Sequence, residues 1–184
     1  MFFVRLDATI LARVERASRG IQVRTGVTCF WQARACHVAT LLLIAVVSLL
    51  TPSPFWPFAA VAGSFSWMYG TMVWGWYTRM ERHYEVSPEV AHPTTLQWRE
   101  GHGAERLMML LGIPSMVAYG LWHLSGPERF AIGFAFALCF WLAAQYLQCC
   151  IPLPPGAHRE WLAERERART LAAAEAFGQH SPVR

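Results

Sequence analysis

Residues 35 to 77 read ACHVATLLLIAVVSLLTPSPFWPFAAVAGSFSWMYGTMVWGWY, and the fold turns on how this stretch is taken. It consists of two apolar arms joined at a charge-free tip, Thr51-Pro52-Ser53-Pro54-Phe55-Trp56-Pro57. Crossing a bilayer takes roughly 20 predominantly apolar residues, and each arm is about that long, the first at the short end. Pro52, Pro54 and Pro57 stop one helix and start the next, because proline lacks the donor a helix interior needs yet suits a first turn. The stretch therefore reads as a transmembrane hairpin, with spans over 35–50 and 55–77.

Composition supports a membrane class. The chain has 184 residues, of which 54% are hydrophobic and nine are Trp, too apolar for an ordinary soluble domain of that size. All sixteen basic residues are Arg, so the net charge of +4 rests on side chains that do not deprotonate. No secretory signal peptide is expected, since charges punctuate the N-terminus and leave no uninterrupted apolar run.

On the N-terminal side, Phe3, Leu6, Ile10 and Val14 recur at helical steps, while Arg5, Glu15, Arg16 and Arg19 fall opposite them. An amphipathic helix over residues 2–17 follows, lying in the headgroup plane or packed on another helix. Gly20 and Gly26 are expected to break it, and the aromatic pair Phe30-Trp31 suits the membrane interface.

On the C-terminal side, residues 78–105 turn polar and read as a loop, long enough to carry function. A third span is expected over 106–124, kinked at Pro114, and a fourth over 130–151, ended by Pro152, Pro154 and Pro155. The Ala-, Glu- and Arg-rich tail from His158 to Phe177 predicts a helix. The fold class is thus an all-α integral membrane protein with four transmembrane helices as two hairpins, an N-terminal amphipathic helix and a C-terminal cytoplasmic helix. Its divisions are an arm at 1–30, a hairpin at 31–77, a loop at 78–105, a second hairpin at 106–151 and a tail at 152–184.

Arginine placement orients this body. Six lie in the N-terminal arm with the foot of span one, four in the middle loop with the foot of span three and five in the tail, against one in the 125–129 turn and none in the tip. Positive flanks stay cytoplasmic, so both termini and the middle loop are expected inside, in an inner membrane.

Candidate surfaces follow from spacing. Ala62, Ser66 and Gly70 repeat every four residues, with Ala59 and Gly63 on an adjacent line, the pattern that lets helix backbones approach closely in lipid. Partner contacts are expected at His83, His92 and His102 of the middle loop and at Trp161 and Leu171 of the tail. Cys29, Cys36, His37, Cys149 and Cys150 lie at one membrane depth and offer thiolate and imidazole ligands for a metal, although their spacing matches no standard ligand pattern. Haem ligation by histidine is weakened because His37 and His123 sit near opposite faces. No cofactor is expected.

Function is bounded more by exclusion. No Asp, Glu, Lys or Arg falls within the interior of a proposed span, which speaks against ion-coupled transport. The tail arginines alternate with Glu160, Glu164, Glu166 and Glu175, so the tail neutralises itself and no nucleic-acid binding is expected. The leading expectation is a non-enzymatic bacterial inner-membrane subunit or scaffold, a homo-oligomer or part of a larger complex in the lipid bilayer, presenting cytoplasmic segments to partner proteins. Two alternatives stand beside it: an oligomeric pore-forming or membrane-disrupting effector, and a membrane-bound redox or metal-dependent enzyme using the cytoplasmic-face His and Cys groups.

Overall fold

A computed structural model describes residues 2–50, 56–86, 95–97, 99–123 and 130–179. Among them the secondary structure is helical throughout, without strands: α1 (Phe2–Thr25), α2 (Cys29–Leu50), α3 (Trp56–Val86), α4 (Gly103–Trp122), α5 (Phe130–Gln148) and α6 (Ala157–Gln179), with further helical turns at 95–97 and 99–101. Residues 51–55 of the Pro-rich tip and the turn from Ser125 to Arg129 lie outside the described residues. Two of the helices, α2 and α5, are long and apolar enough to cross a membrane.

Three elements exceed their expected lengths. α1 runs through Gly20 to Thr25. A helical glycine costs about 1 kcal/mol relative to alanine, and docking of the flanking residues offsets it: Arg19 Nε donates to the Ile151 carbonyl, and the Gln22 amide exchanges two bonds with the Leu153 backbone. The helix ends at Gly26, whose φ of 77° favours glycine.

α2 starts at Cys29, a turn and a half before the expected span. α3 extends nine residues past Tyr77, through TRMERHYEV. The charges there mark departure from apolar surroundings, whereas Tyr77, Met80 and Tyr84 still recur at helical steps and bury one common side. Pro114 lies inside α4 without ending it.

The four apolar helices, α2 to α5, form an open row rather than a closed bundle. α2 packs on α3 along one side and on α5 along the other, and α5 also packs on α4, giving the order α3, α2, α5, α4. Among the described residues α3 and α5 do not approach at backbone level; they meet where the Gln148 amide donates to the Tyr77 hydroxyl. Close approach in the middle of the row rests on two glycines. A Cβ on Gly133 would stand 2.6 Å from Val47 Cγ2, and one on Gly120 would stand 2.6 Å from Ile132 Cγ1 and 3.2 Å from its backbone nitrogen. Alongside them Ala135, Ala137 and Ala144 are essentially inaccessible, so small side chains set the packing of α5.

The core is concentrated at one end. α1 crosses the row where α5 terminates, touching α2, α4, α5 and the start of α6. There Leu11, Phe30, Tyr77, Met80, Tyr84, Tyr146 and the three cysteines 29, 149 and 150 form one buried cluster. A smaller cluster of Ile44, Phe134 and Ala137 sits further along the row. Elsewhere the outer faces of the row carry exposed hydrocarbon, including Leu42, Val46, Trp67, Met72, Met108, Leu111 and Phe136.

Candidate functional site

The α1 end of the row is a connected polar latch. Arg106, at the start of α4, is 2% exposed and grips Asp7 of α1 with two parallel bonds, Nε to Oδ1 at 3.0 Å and Nη2 to Oδ2 at 2.9 Å. The fork geometry of guanidinium suits this bidentate grip better than a point charge would. Tyr146 of α5 donates to Asp7 Oδ1 at 2.7 Å, and Arg106 Nη1 lies 3.1 Å from Cys149 Sγ. Burial alone pulls the Asp7 carboxyl upward, but the bonds from Arg106 and Tyr146 and the guanidinium charge prevail and hold it below the ordinary carboxylate value.

A second set of bonds extends the latch along α1. Glu15 accepts from Arg19 at 2.7 Å, from Arg99 at 2.9 Å and from the Ile151 amide at 3.4 Å. Arg99 Nε donates in turn to the Cys149 carbonyl. The face of α1 read as outward is thus partly turned inward at Glu15 and Arg19. Charged groups removed from water need such partners, and here backbone carbonyls freed at the end of α5 supply several of them.

Across the row, Arg34 of α2 is 4% exposed, pairs with Glu81 of α3 at 2.7 Å and donates to Thr78 Oγ1 at 3.1 Å. Its guanidinium lies over the rings of Trp31 and Trp74, 4.6 Å and 5.2 Å from their centroids, distances at which cation–π attraction operates. Above this cluster α2 and α3 diverge around an apolar groove of about 700 Å³, bounded by Leu42, Ala45, Leu49, Gly63 and Trp67 among others. A further recess of about 300 Å³ shares Val38, Leu41 and Trp67 with it and reaches Gly70 and Trp74.

The residues singled out by spacing are placed as follows. Gly63 faces Ile44 and Gly70 faces Leu41 and His37, so at these two positions the small-residue line of α3 meets α2 of the same chain. The side chains of Ala59, Ala62 and Ser66 lie outside the described residues.

Cys29, Cys149 and Cys150 come together at the α1 end, with Cys29 Sγ donating to the Cys150 carbonyl at 3.6 Å, while Cys36 packs at the edge of that cluster. His37 is buried, its ring 4.8 Å from that of Trp141 and 6.2 Å from that of Tyr77, rather than sitting partly solvated at the interface. Among the described residues, no three His, Cys, Asp or Glu side chains are gathered as a metal would require.

The partner candidates are dispersed. His83 is exposed on the extension of α3, His102 is half-buried with Nε2 3.9 Å from Glu105, and His92 lies outside the described residues. Trp161 is half-buried under Arg165 and Leu171 is exposed, both on α6, where every described residue from Arg159 to Ala172 except Trp161 is exposed.

The groups that hold the latch have no sequence signature. Asp7 and Arg106 are 99 positions apart, and Arg34 and Glu81 are 47 apart. The glycine contact on α5 does have one, since Ala131 with Ala135 and Gly133 with Ala137 repeat the four-residue spacing seen in α3. No family model, curated protein or solved structure matches the chain.

Proposed function

We propose that the chain is a non-enzymatic membrane subunit or scaffold with four spans, α2 to α5, arranged as two hairpins in a bacterial inner membrane. Both termini, the extension of α3 and the α1 latch face the cytoplasm, and α6 stands out as an arm for a partner protein. The observation that carries this reading is the asymmetry of the row. Large apolar side chains are exposed on all four helices, including Leu42, Met72, Met108 and Phe136, while the charged latch and the main core are confined to one end. Contiguous apolar exposure on this scale marks a surface made for lipid or another protein, and buried ion pairs clustered at one end suit a membrane boundary.

Arginine distribution supports the cytoplasmic placement of that end. Because Gly63 and Gly70 are engaged with α2, association with other membrane subunits falls to the outer faces of the row, where Met108, Leu111, Ser115, Tyr119 and Trp122 follow helical steps along α4.

The test is topology together with co-purification. Tags at each terminus should both be cut by protease added to inverted membrane vesicles and both be protected in right-side-out ones. A terminus cut from the opposite side would refute the four-span arrangement. Gentle detergent extraction should recover a partner whose retention falls when Trp161 and Leu171 are replaced by Ala; unchanged retention would remove α6 from the proposal.

A further inference from the structure

The free length of α6 carries an order that its own chain does not use. Its base is anchored on α1, where His158 Nδ1 lies 2.7 Å from the Val23 carbonyl oxygen. Beyond that point, from Arg159 to Ala172, every residue except Trp161 is exposed. Most helices in folded proteins are sustained by packing along one face, and past its first turn α6 has no such packing among the described residues. Nor do its charges satisfy one another: Glu160, Glu164 and Arg169 have no ion-pair partner among the described residues.

At about 3.6 residues per turn, Trp161, Ala168 and Ala172 fall on one line of this helix. The indole is held in place, stacked on His158 with ring centroids 6.4 Å apart and covered by the Arg165 guanidinium 5.1 Å from its centroid. The two alanines keep the rest of the line low, and a shallow recess of about 380 Å³ opens on it between Trp161, Glu164, Arg165 and Ala168. The line also divides the charges by sign. Glu160 and Glu164 flank it on one side and Arg165 and Arg169 on the other, while Arg159, Glu166 and Arg167 turn away. Each acid precedes a base by five residues, 160 with 165 and 164 with 169. Neighbours on one helix are three or four apart; an offset of five instead bridges the seam between two parallel helices.

In a parallel, in-register pair the acidic flank of each helix faces the basic flank of the other, whereas an antiparallel pair sets acid on acid and base on base. Charge complementarity therefore selects the parallel pair. Chains inserted with one topology send their tails out of the same membrane face, so their α6 helices already run in one direction. Resting on the membrane topology and the free arm given above, we propose that the occupant of this face is a second copy of the chain and that α6 is a parallel homodimerisation helix. Glu160 meets the partner's Arg165, Glu164 meets the partner's Arg169, and the two lines of Trp161, Ala168 and Ala172 pack together. So thin an apolar line binds weakly in free solution; two chains confined to one membrane meet it at high effective concentration.

The test is cysteine cross-linking of the full chain in cell membranes, with dimer read on non-reducing gels after brief exposure to copper phenanthroline. Ala168→Cys should give at least tenfold more dimer than the wild type with its native cysteines, and at least tenfold more than Ala163→Cys, which lies on the opposite side of α6. Adding Glu164→Arg to Ala168→Cys should cut the dimer about fivefold. Adding Arg169→Glu as well should restore it to within twofold, because exchanging the two charges rebuilds the pair in a parallel register. All of these side chains are exposed, and far-ultraviolet circular dichroism should be unchanged throughout.

Equal cross-linking from Ala163→Cys and Ala168→Cys, or a dimer indifferent to Glu164→Arg, would overturn the proposal, and failure of the added Arg169→Glu to restore the dimer would overturn its parallel register. A cross-link from Ala168→Cys to a different protein would keep α6 as a partner arm and refute the second copy. Failure of the membrane reading itself would show differently, as release of the protein from native membranes by alkaline carbonate without detergent.

Discussion

Gly120 and Gly133 show how little space separates α5 from its neighbours. At Gly120 the obstruction includes the Ile132 backbone nitrogen, which cannot rotate away, so Gly120→Ala should push α4 off α5. Overpacking of this kind costs about 1–3 kcal/mol, and a lowered midpoint of thermal unfolding in detergent would register it. Gly75 is the internal control: a Cβ there meets nothing within 4 Å, so Gly75→Ala should be neutral or stabilise by up to about 1 kcal/mol through its helical preference. Equal effects of the two changes would contradict the packing described.

Arg106 is the other residue on which much depends. Replacing it with Met leaves Asp7 without its cation, and loss of one member of a buried pair costs about 3 kcal/mol or more. Equilibrium unfolding of Arg106→Met against the wild type measures this. Asp7→Asn should also be destabilising, since it leaves the buried Arg106 guanidinium, which cannot deprotonate, without its counter-charge.

At the scale of elements, α1 owes its position to ions and hydrogen bonds as much as to apolar burial. The folded-state Asp7 carboxyl titrates below its ordinary value. The stability it contributes is therefore fully present above the ordinary carboxylate range, and it is lost as pH falls through the depressed value. Amide exchange of residues 2–25, corrected for its intrinsic pH dependence, should accelerate only as the medium falls below the ordinary carboxylate range. The same segment in Arg106→Met should already exchange fast at neutral pH. Persistence of wild-type protection in that variant would show that Leu11 and its apolar neighbours hold α1 without the latch.

For the molecule as a whole, an open row of helices depends on its surroundings to cover its faces. Cys139 reports on this, because it is exposed in the fold yet lies midway along α5, one of the two helices apolar enough to span. In intact membranes a water-soluble maleimide should leave Cys139 unlabelled, and denaturation in detergent should expose it. Labelling before denaturation would place α5 against water and refute its transmembrane assignment. The buried Cys149 and Cys150 would stay unlabelled under either reading, shielded by α1 and α5 themselves.

Sequence by itself determined the helical class and the apolar identity of the segments read at 35–50 and 130–151, because apolar runs of that length, closed by prolines, are too long for strands and favour helices. Four-residue spacing of small residues is a local property of a helix and legible along the chain, but that Gly63 and Gly70 face α2 of the same chain is not. Sequence misplaced the end of α3, where TRMERHYEV looks like a loop by charge but is held helical by Tyr77, Met80 and Tyr84 packing inward. Only the tertiary structure decided that α1 closes over the row, that Asp7 meets Arg106 and Arg34 meets Glu81, and that the helices stand in the order α3, α2, α5, α4. These pairings join segments separated by tens of residues, and their partners are chosen by geometry in space, which no periodicity along the chain records.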